Sequence, residues 1–114
     1  ELGKLINDNK LEAYNLPQGT LAQLFRDIAG HKLGTLTHVG LNTFADPRIE
    51  GGKLNRITTE DLVEVVSILG QERLLYKAFD IDIGMIRGTY ADENGIVTCE
   101  HECCTTEVTS NAQL

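Results

Sequence analysis

The chain has 114 residues, 41% of them hydrophobic and 24% charged, which suits one small globular domain with a core just large enough to fold. A formal charge of −7, 5% aromatics and no Trp exclude a basic face for phosphate backbones and broad platforms for stacking bases. No apolar run has the length of a membrane span, and the first residues lack the basic-then-apolar order of a signal segment.

Leu2, Leu5 and Ile6 predict a short amphipathic turn ending around Asn7 to Asn9. Leu11 to Asn15 reads as a strand running into the turn Leu16-Pro17-Gln18-Gly19. Pro17 fixes its own φ, removes a donor and holds Leu16 extended. Gly19 lets the backbone pass close to whatever lies above it. Thr20 and Gln23 have the spacing of a capping box. Leu21, Leu24, Phe25 and Ile28 then recur at helical intervals, and Gly30 stands where a C′ glycine would end the helix. A strand end, a tight turn and a helix N-terminus together are where open α/β sheets bind negatively charged ligands. Gln18 carries a neutral donor and acceptor to that apex.

Beyond the helix, Leu36 to Val39 predicts a short strand. The stretch from Gly40 to Asn55 contains Asp46-Pro47 and Gly51-Gly52, both loop signals, and a connection that long is usually functional or covered by a partner. Thr58 to Leu69 allows two readings: Thr59 with Asp61 and Glu64 suits a helix start, but the β-branched run from Leu62 favours a hairpin with Arg73 to Tyr76, which is the expectation here. Ile81 to Tyr90 reads as a buried strand, and Asn94-Gly95 as a type I′ hairpin turn.

Several side-chain groups invite chemical readings. Glu93-Asn94-Gly95 is read as a solvated turn, and an EF-hand reading fails because Gly95 would put Tyr90 at the first ligand position. Cys99, His101, Cys103 and Cys104 offer soft and borderline metal ligands, but no second pair completes a zinc pattern. Three cysteines, two of them adjacent, make no disulfide framework and are expected to be reduced thiols of a cytoplasmic protein. His31 follows the helix end, and His38 has no acidic or nucleophilic neighbour in sequence. Gly51-Gly52-Lys53 lacks the glycine spacing of a phosphate loop.

Five ordered blocks carry a resemblance across most of the chain. They are Glu12 to Gly19, Arg26 to Gly30, Val39 to Arg48 with Gly51 to Asn55, Leu75 to Phe79, and Ile86 to Gly95. Together they resemble the N-terminal half of family I CoA-transferases, and most of all the acetate/propionate branch. The resemblance implies an α/β fold, an open mixed sheet with flanking helices and β-hairpin additions. With a start at Glu1, it leads us to expect residues 1–114 to be a single partial domain, a fragment of the N-terminal CoA-transferase domain.

The resemblance also implies transfer of coenzyme A between a short-chain acyl-CoA and a carboxylate such as acetate, through a glutamyl-CoA thioester. The family's nucleophile lies in a Glu-x-Gly-x-x-Gly motif of the C-terminal half. Glu93-Asn94-Gly95 lacks the closing glycine, so no catalytic residue is assigned in this chain, and the piece alone is expected to be inactive. Gln18 and Gly19 match the family's Pro-Gln-Gly motif, whose glutamine contacts the acyl or thioester end. The Gly40 to Phe44 loop and Asp46 to Asn55 are expected along the acyl pocket. No metal or redox cofactor is implied, coenzyme A being a substrate. Partners are the C-terminal domain and, for the complete protein, further copies of itself; nucleic acid and membrane are not expected. Alternatives remain open: a sugar-phosphate isomerase using Lys53, Arg48 or Arg56, or a small domain with a Cys/His metal site.

Overall fold

A computed structural model describes residues 1–102. Two helices, α1 (Leu2–Asn7) and α2 (Gln18–Ala29), precede and flank a small sheet. Its strands are β1 (Gly34–Thr37), β2 (Val63–Ile68) and β3 (Gln71–Lys77), in the order β1-β3-β2. A second pair, β4 (Tyr90–Ala91) and β5 (Val97–Thr98), stands apart. The α/β expectation holds, with every strand pair of the described residues antiparallel.

Strand periodicity of two decides which side chains enter the core. Thr35, Val63 and Tyr76 are register partners across the sheet, as are Thr37, Val65 and Leu74, so these six share one face. Against that face α2 turns Thr20, Leu24 and Asp27, a buried stripe at helical spacing. Leu24, Ala45, Val63, Leu74 and Tyr76 form the fully buried cluster, and Leu16, Leu21, Ile28 and Phe79 pack around it. Phe25 meets Phe79 edge to face, with ring centroids 6.4 Å apart. Each such buried apolar side chain contributes about 1.5–3 kcal/mol.

The expected hairpin forms between β2 and β3, with Leu69 (φ 53°) and Gly70 (φ 75°) as its two-residue loop. Two positive φ values in succession match the right-handed twist of the strands. Elsewhere the strands are shorter than their sequence pattern. The Leu11 to Asn15 strand is reduced to one bridge, Tyr14 with Lys53: the Asn15 amide donates to the Gly52 carbonyl and the Leu54 amide to the Ala13 carbonyl, while the Ala13 amide is taken by the Thr58 hydroxyl. The strand expected over Leu36 to Val39 lies two residues earlier, ending at Thr37. Ile81 to Tyr90 is not a buried strand: Ile83 is 79% exposed and no neighbouring strand pairs with residues 81–89. The Asn94-Gly95 hairpin exists, but only Gly95 has positive φ, so the turn is not type I′. Asp92 organises it instead, its carboxylate accepting from the Asn94 and Ile96 amides.

The Gly40 to Asn55 stretch folds into successive turns around Asp46, a wholly buried carboxylate. It accepts from the Asn42 amide (2.9 Å) and from the Arg48 amide and guanidinium (3.0, 2.9 and 2.7 Å). These bonds, those of Arg48 foremost, hold its carboxyl well below the usual carboxylate range. A Cβ at Gly52 (φ 75°) would lie 2.9 Å from the Asn15 carbonyl oxygen, so glycine is needed where this loop presses on the segment leading to Pro17.

Candidate functional site

Helix α2 begins three residues earlier than the capping box requires. Pro17 is the N-cap (φ −59°, ψ 125°) and no side chain caps the helix. Thr20 and Gln23 therefore do not act as the expected box; Thr20 is inside the first turn and buried. The first helical amide with an acceptor is Leu21, bonded to the Pro17 carbonyl at 3.0 Å. The Gln18, Gly19 and Thr20 amides have no acceptor among the described residues. Three unpaired N–H groups at the positive end of a helix dipole form a place suited to negative charge.

Gln18 stands on this rim, exposed, with its carboxamide free of hydrogen bonds among the described residues. Gly19 is exposed too, and a Cβ there would meet nothing within 4 Å. Neither crowding nor positive φ within this chain demands a glycine at that position. In a helix, glycine is about 1 kcal/mol less favourable than alanine. The space above Gly19 is open to a molecule approaching from outside.

Below the rim is a hollow of about 300 Å³ between α2 and β1, lined by Pro17, Gly19, Thr20, Gln23, Thr35, Leu36, Thr37 and Val39. Asp27 fixes its wall. This carboxylate, 5% exposed, accepts from Gln23 Nε2 (3.0 Å), Lys32 Nζ (2.7 Å) and Thr35 Oγ1 (2.7 Å). Burial pushes its pKa up, but the bonds from Lys32, Thr35 and Gln23 outweigh that and leave it lowered. Asp27 thereby ties two lining side chains to one another across the helix–strand seam.

Tyr76 supports the opposite rim from beneath, its hydroxyl donating to the Val39 carbonyl at 2.9 Å. Burial, and then the Asp46 carboxylate, pushes the Tyr76 hydroxyl pKa up, so it stays a donor. A Cβ at Gly40 (φ 97°) would collide with that hydroxyl, which explains the glycine after Val39. Asp27 and Tyr76 lie within two of the blocks that carry the resemblance, but no chemical motif singles them out there.

The remaining expected residues separate into groups. None of residues 40–55 lines the hollow, so the expected acyl-pocket loops are not part of it; Asp46 draws them into their own turns. Arg48 is held by Asp46 and Glu72, and Lys53 by Asp61 and the Thr59 carbonyl. No basic side chain lines the hollow, as a sugar-phosphate site would need. Glu93 is exposed in the Asp92–Gly95 turn. His31 (φ 56°) closes α2, its amide donating to the Ile28 carbonyl. In this role it replaces Gly30, whose φ of −86° is not left-handed. His38 is exposed; its carbonyl accepts from the Leu41 amide, and its imidazole makes no hydrogen bond among the described residues. Among those residues no three His, Cys, Asp or Glu side chains gather as metal ligands. Cys99 is a free thiol and His101 is exposed; Cys103 and Cys104 lie outside the described residues. No helix among the described residues is long and apolar enough to cross a membrane.

Comparison with known proteins places this architecture. The family model for coenzyme A transferase matches residues 1–113. Caffeate CoA-transferase of Acetobacterium woodii is 50% identical over 101 residues, which is 89% of this chain and 19% of that protein. Acetate CoA-transferase YdiF of Escherichia coli (strain K12) is 46% identical over the same shares of each chain. The crystal structure of the acyl-CoA transferase YdiF of E. coli O157:H7, in a thioester complex with CoA, superposes with a TM-score of 0.85 at 40% identity. It covers 97% of this chain and 23% of that one. The chain thus spans about a fifth of the length of the proteins it matches. With the family model matched over nearly its whole length, this chain belongs to the coenzyme A transferase family.

Proposed function

We propose that the complete polypeptide carrying this chain transfers coenzyme A between a short-chain acyl-CoA and a carboxylate such as acetate, with Gln18 and Gly19 contacting the thioester end. The observation that carries this reading is the uncapped start of α2. A carboxamide and three unpaired backbone N–H groups face open space above a hollow that carries no basic side chain. The acetate activity in the printed name of one relative, and the CoA thioester in the solved neighbour, support it.

In the proposed reaction a glutamate from outside this chain attacks the donor thioester carbonyl. The C–S bond breaks and coenzyme A leaves as thiolate, giving a mixed anhydride. The thiolate then attacks the glutamyl carbonyl, releasing the donor carboxylate and forming a glutamyl thioester, and the acceptor carboxylate reverses the sequence. Each addition places negative charge on a carbonyl oxygen. Donors already fixed in position stabilise that charge without reorganising, and they need no metal or redox cofactor. The backbone N–H groups at the start of α2 are such donors, and the Gln18 amide N–H₂ on the exposed rim adds one more. A cytoplasmic location and assembly into homo-oligomers complete this reading.

Replacing Gln18 by Ala in the complete protein tests it. The loss of one such donor is expected to lower kcat about 100-fold. The carboxamide is exposed and makes no hydrogen bond among the described residues, so the melting temperature is expected to stay unchanged. Unaltered steady-state kinetics in that variant would remove Gln18 from the reaction.

A further inference from the structure

Thr20 carries an observation that the transfer reading leaves unused. The residue is 6% exposed, yet its hydroxyl makes no hydrogen bond among the described residues. No buried side-chain oxygen or nitrogen there is sealed from solvent without a partner. The Thr20 hydroxyl therefore opens onto the space its residue lines, which is the hollow between α2 and β1. The hydroxyl thus has no protein partner among the described residues and is open to one supplied from the hollow, solvent or a ligand oxygen.

Its neighbours have complementary capacity to spare. The Gly19 and Thr20 amides lack acceptors. Thr37 Oγ1 accepts from the Val39 amide at 3.2 Å and keeps its own proton to donate. Gln23 is held by Asp27, to which its nitrogen gives one of its two N–H donors. The donors in this space thus include the Thr20 and Thr37 hydroxyls and the helix amides. Leu36 and Val39 add apolar surface to the same lining. Donors at one end and two aliphatic side chains beside them fit a small molecule with an anionic oxygen end and a short alkyl tail.

We infer that the hollow between α2 and β1 is the seat of the short-chain carboxylate, with the Thr20 hydroxyl as a direct ligand of its oxygen and Leu36 and Val39 flanking its alkyl chain. This rests on the CoA-transfer reading for its substrate class, but the site itself is a claim about carboxylate binding. The Thr20 hydroxyl donates to the carboxylate and replaces the missing partner. The apolar pair limits how long a chain can follow.

The test uses the complete protein with Thr20→Val, which keeps the β-branched shape and removes the hydroxyl. The KM for acetate is expected to rise about tenfold, the usual loss for one hydrogen bond to a charged group, with a smaller change in kcat. Thr20→Ser is expected to recover most of that loss, which a purely structural role for the side chain would not produce. Val39→Ala, which leaves the Thr20 region intact, is expected to shift preference toward longer carboxylates, read as the ratio of KM for hexanoate to KM for acetate. Binding is read separately from turnover: acetate alone is expected to raise the melting temperature of the parent protein and not of the Thr20→Val variant. An unchanged KM and an equal acetate shift in both proteins would overturn the site while leaving CoA transfer standing. A parent protein that acetate stabilises but that transfers no CoA would keep the site and overturn the reading of the reaction. No acetate-dependent shift in the parent protein would overturn the site, whatever the turnover.

Discussion

Residues up to about Ala78 and those that follow are built by different rules, although both contain apolar and β-branched residues in quantity. In the first region, each strand has a neighbour and the sheet shares a core with α2, and Leu24, Leu74 and Tyr76 are almost completely withdrawn from water. In the second, Ile83, Tyr90 and Ile96 are 79%, 63% and 64% exposed, and its strands are two residues long. The charged groups follow the same division. Asp27 and Asp46 are buried and joined to several donors each, whereas Asp92 only organises its own exposed turn. Hydrophobic sequence becomes core only where a second layer covers it. The candidate site lies in the covered region, where its walls are held.

The largest effect that sharpens this contrast is expected from Leu24→Ala. Removing a side chain that is 1% exposed at the centre of the cluster should cost about 3 kcal/mol, read from denaturant midpoints. The same truncation at Ile83 should cost less than about 0.5 kcal/mol in this chain. Equal losses would mean that the two regions are not built differently after all.

Next comes Asp46→Asn. It removes the charge from a buried carboxylate that Arg48 grips, but the Arg48 side chain is 45% exposed and also reaches Glu72. Water can therefore take up part of its charge, and the expected loss is about 2 kcal/mol, not the full penalty of a buried orphan. The pH dependence has a definite sign. The folded pKa lies below the unfolded value near 3.8, so the stabilisation is fully present above about pH 4 and is lost as pH falls below that. Melting temperatures from pH 7 to pH 3 should fall more steeply for the parent protein than for Asp46→Asn.

The smallest effect is expected at Tyr76→Phe, which deletes the bond to the Val39 carbonyl and nothing else. About 1 kcal/mol is expected from a urea titration. A loss of several kcal/mol would show that the hydroxyl supports more of the hollow than this one carbonyl.

Parts of this architecture are legible in the residues themselves. The apolar repeat from Leu21 to Ile28 requires an amphipathic helix wherever it packs, because the 3.6-residue period is a property of the chain. The Val63 to Tyr76 hairpin follows from β-branched runs around a glycine. Pro17, Gln18 and Gly19 can be placed at a helix entrance because proline and glycine restrict or free the backbone locally. The ordered blocks, not any single motif, carried the family assignment.

Other parts are decided only by the assembled structure. Thr20-x-x-Gln23 satisfies the capping pattern, yet the helix starts at Gln18, because Pro17 is already extended and Asp27 claims the Gln23 amide. Ile81 to Tyr90 has the composition of a buried strand, yet among the described residues no strand pairs with 81–89 and only Tyr90, at its end, meets β5. Asp27 and Tyr76 shape the hollow through contacts with residues 8 and 37 positions away in sequence. Local sequence sets backbone preference and the period of side-chain direction, and these are properties of a few neighbouring residues. Which donors are left without acceptors, and which cavity they face, depends on partners that the chain brings together only when its layers close.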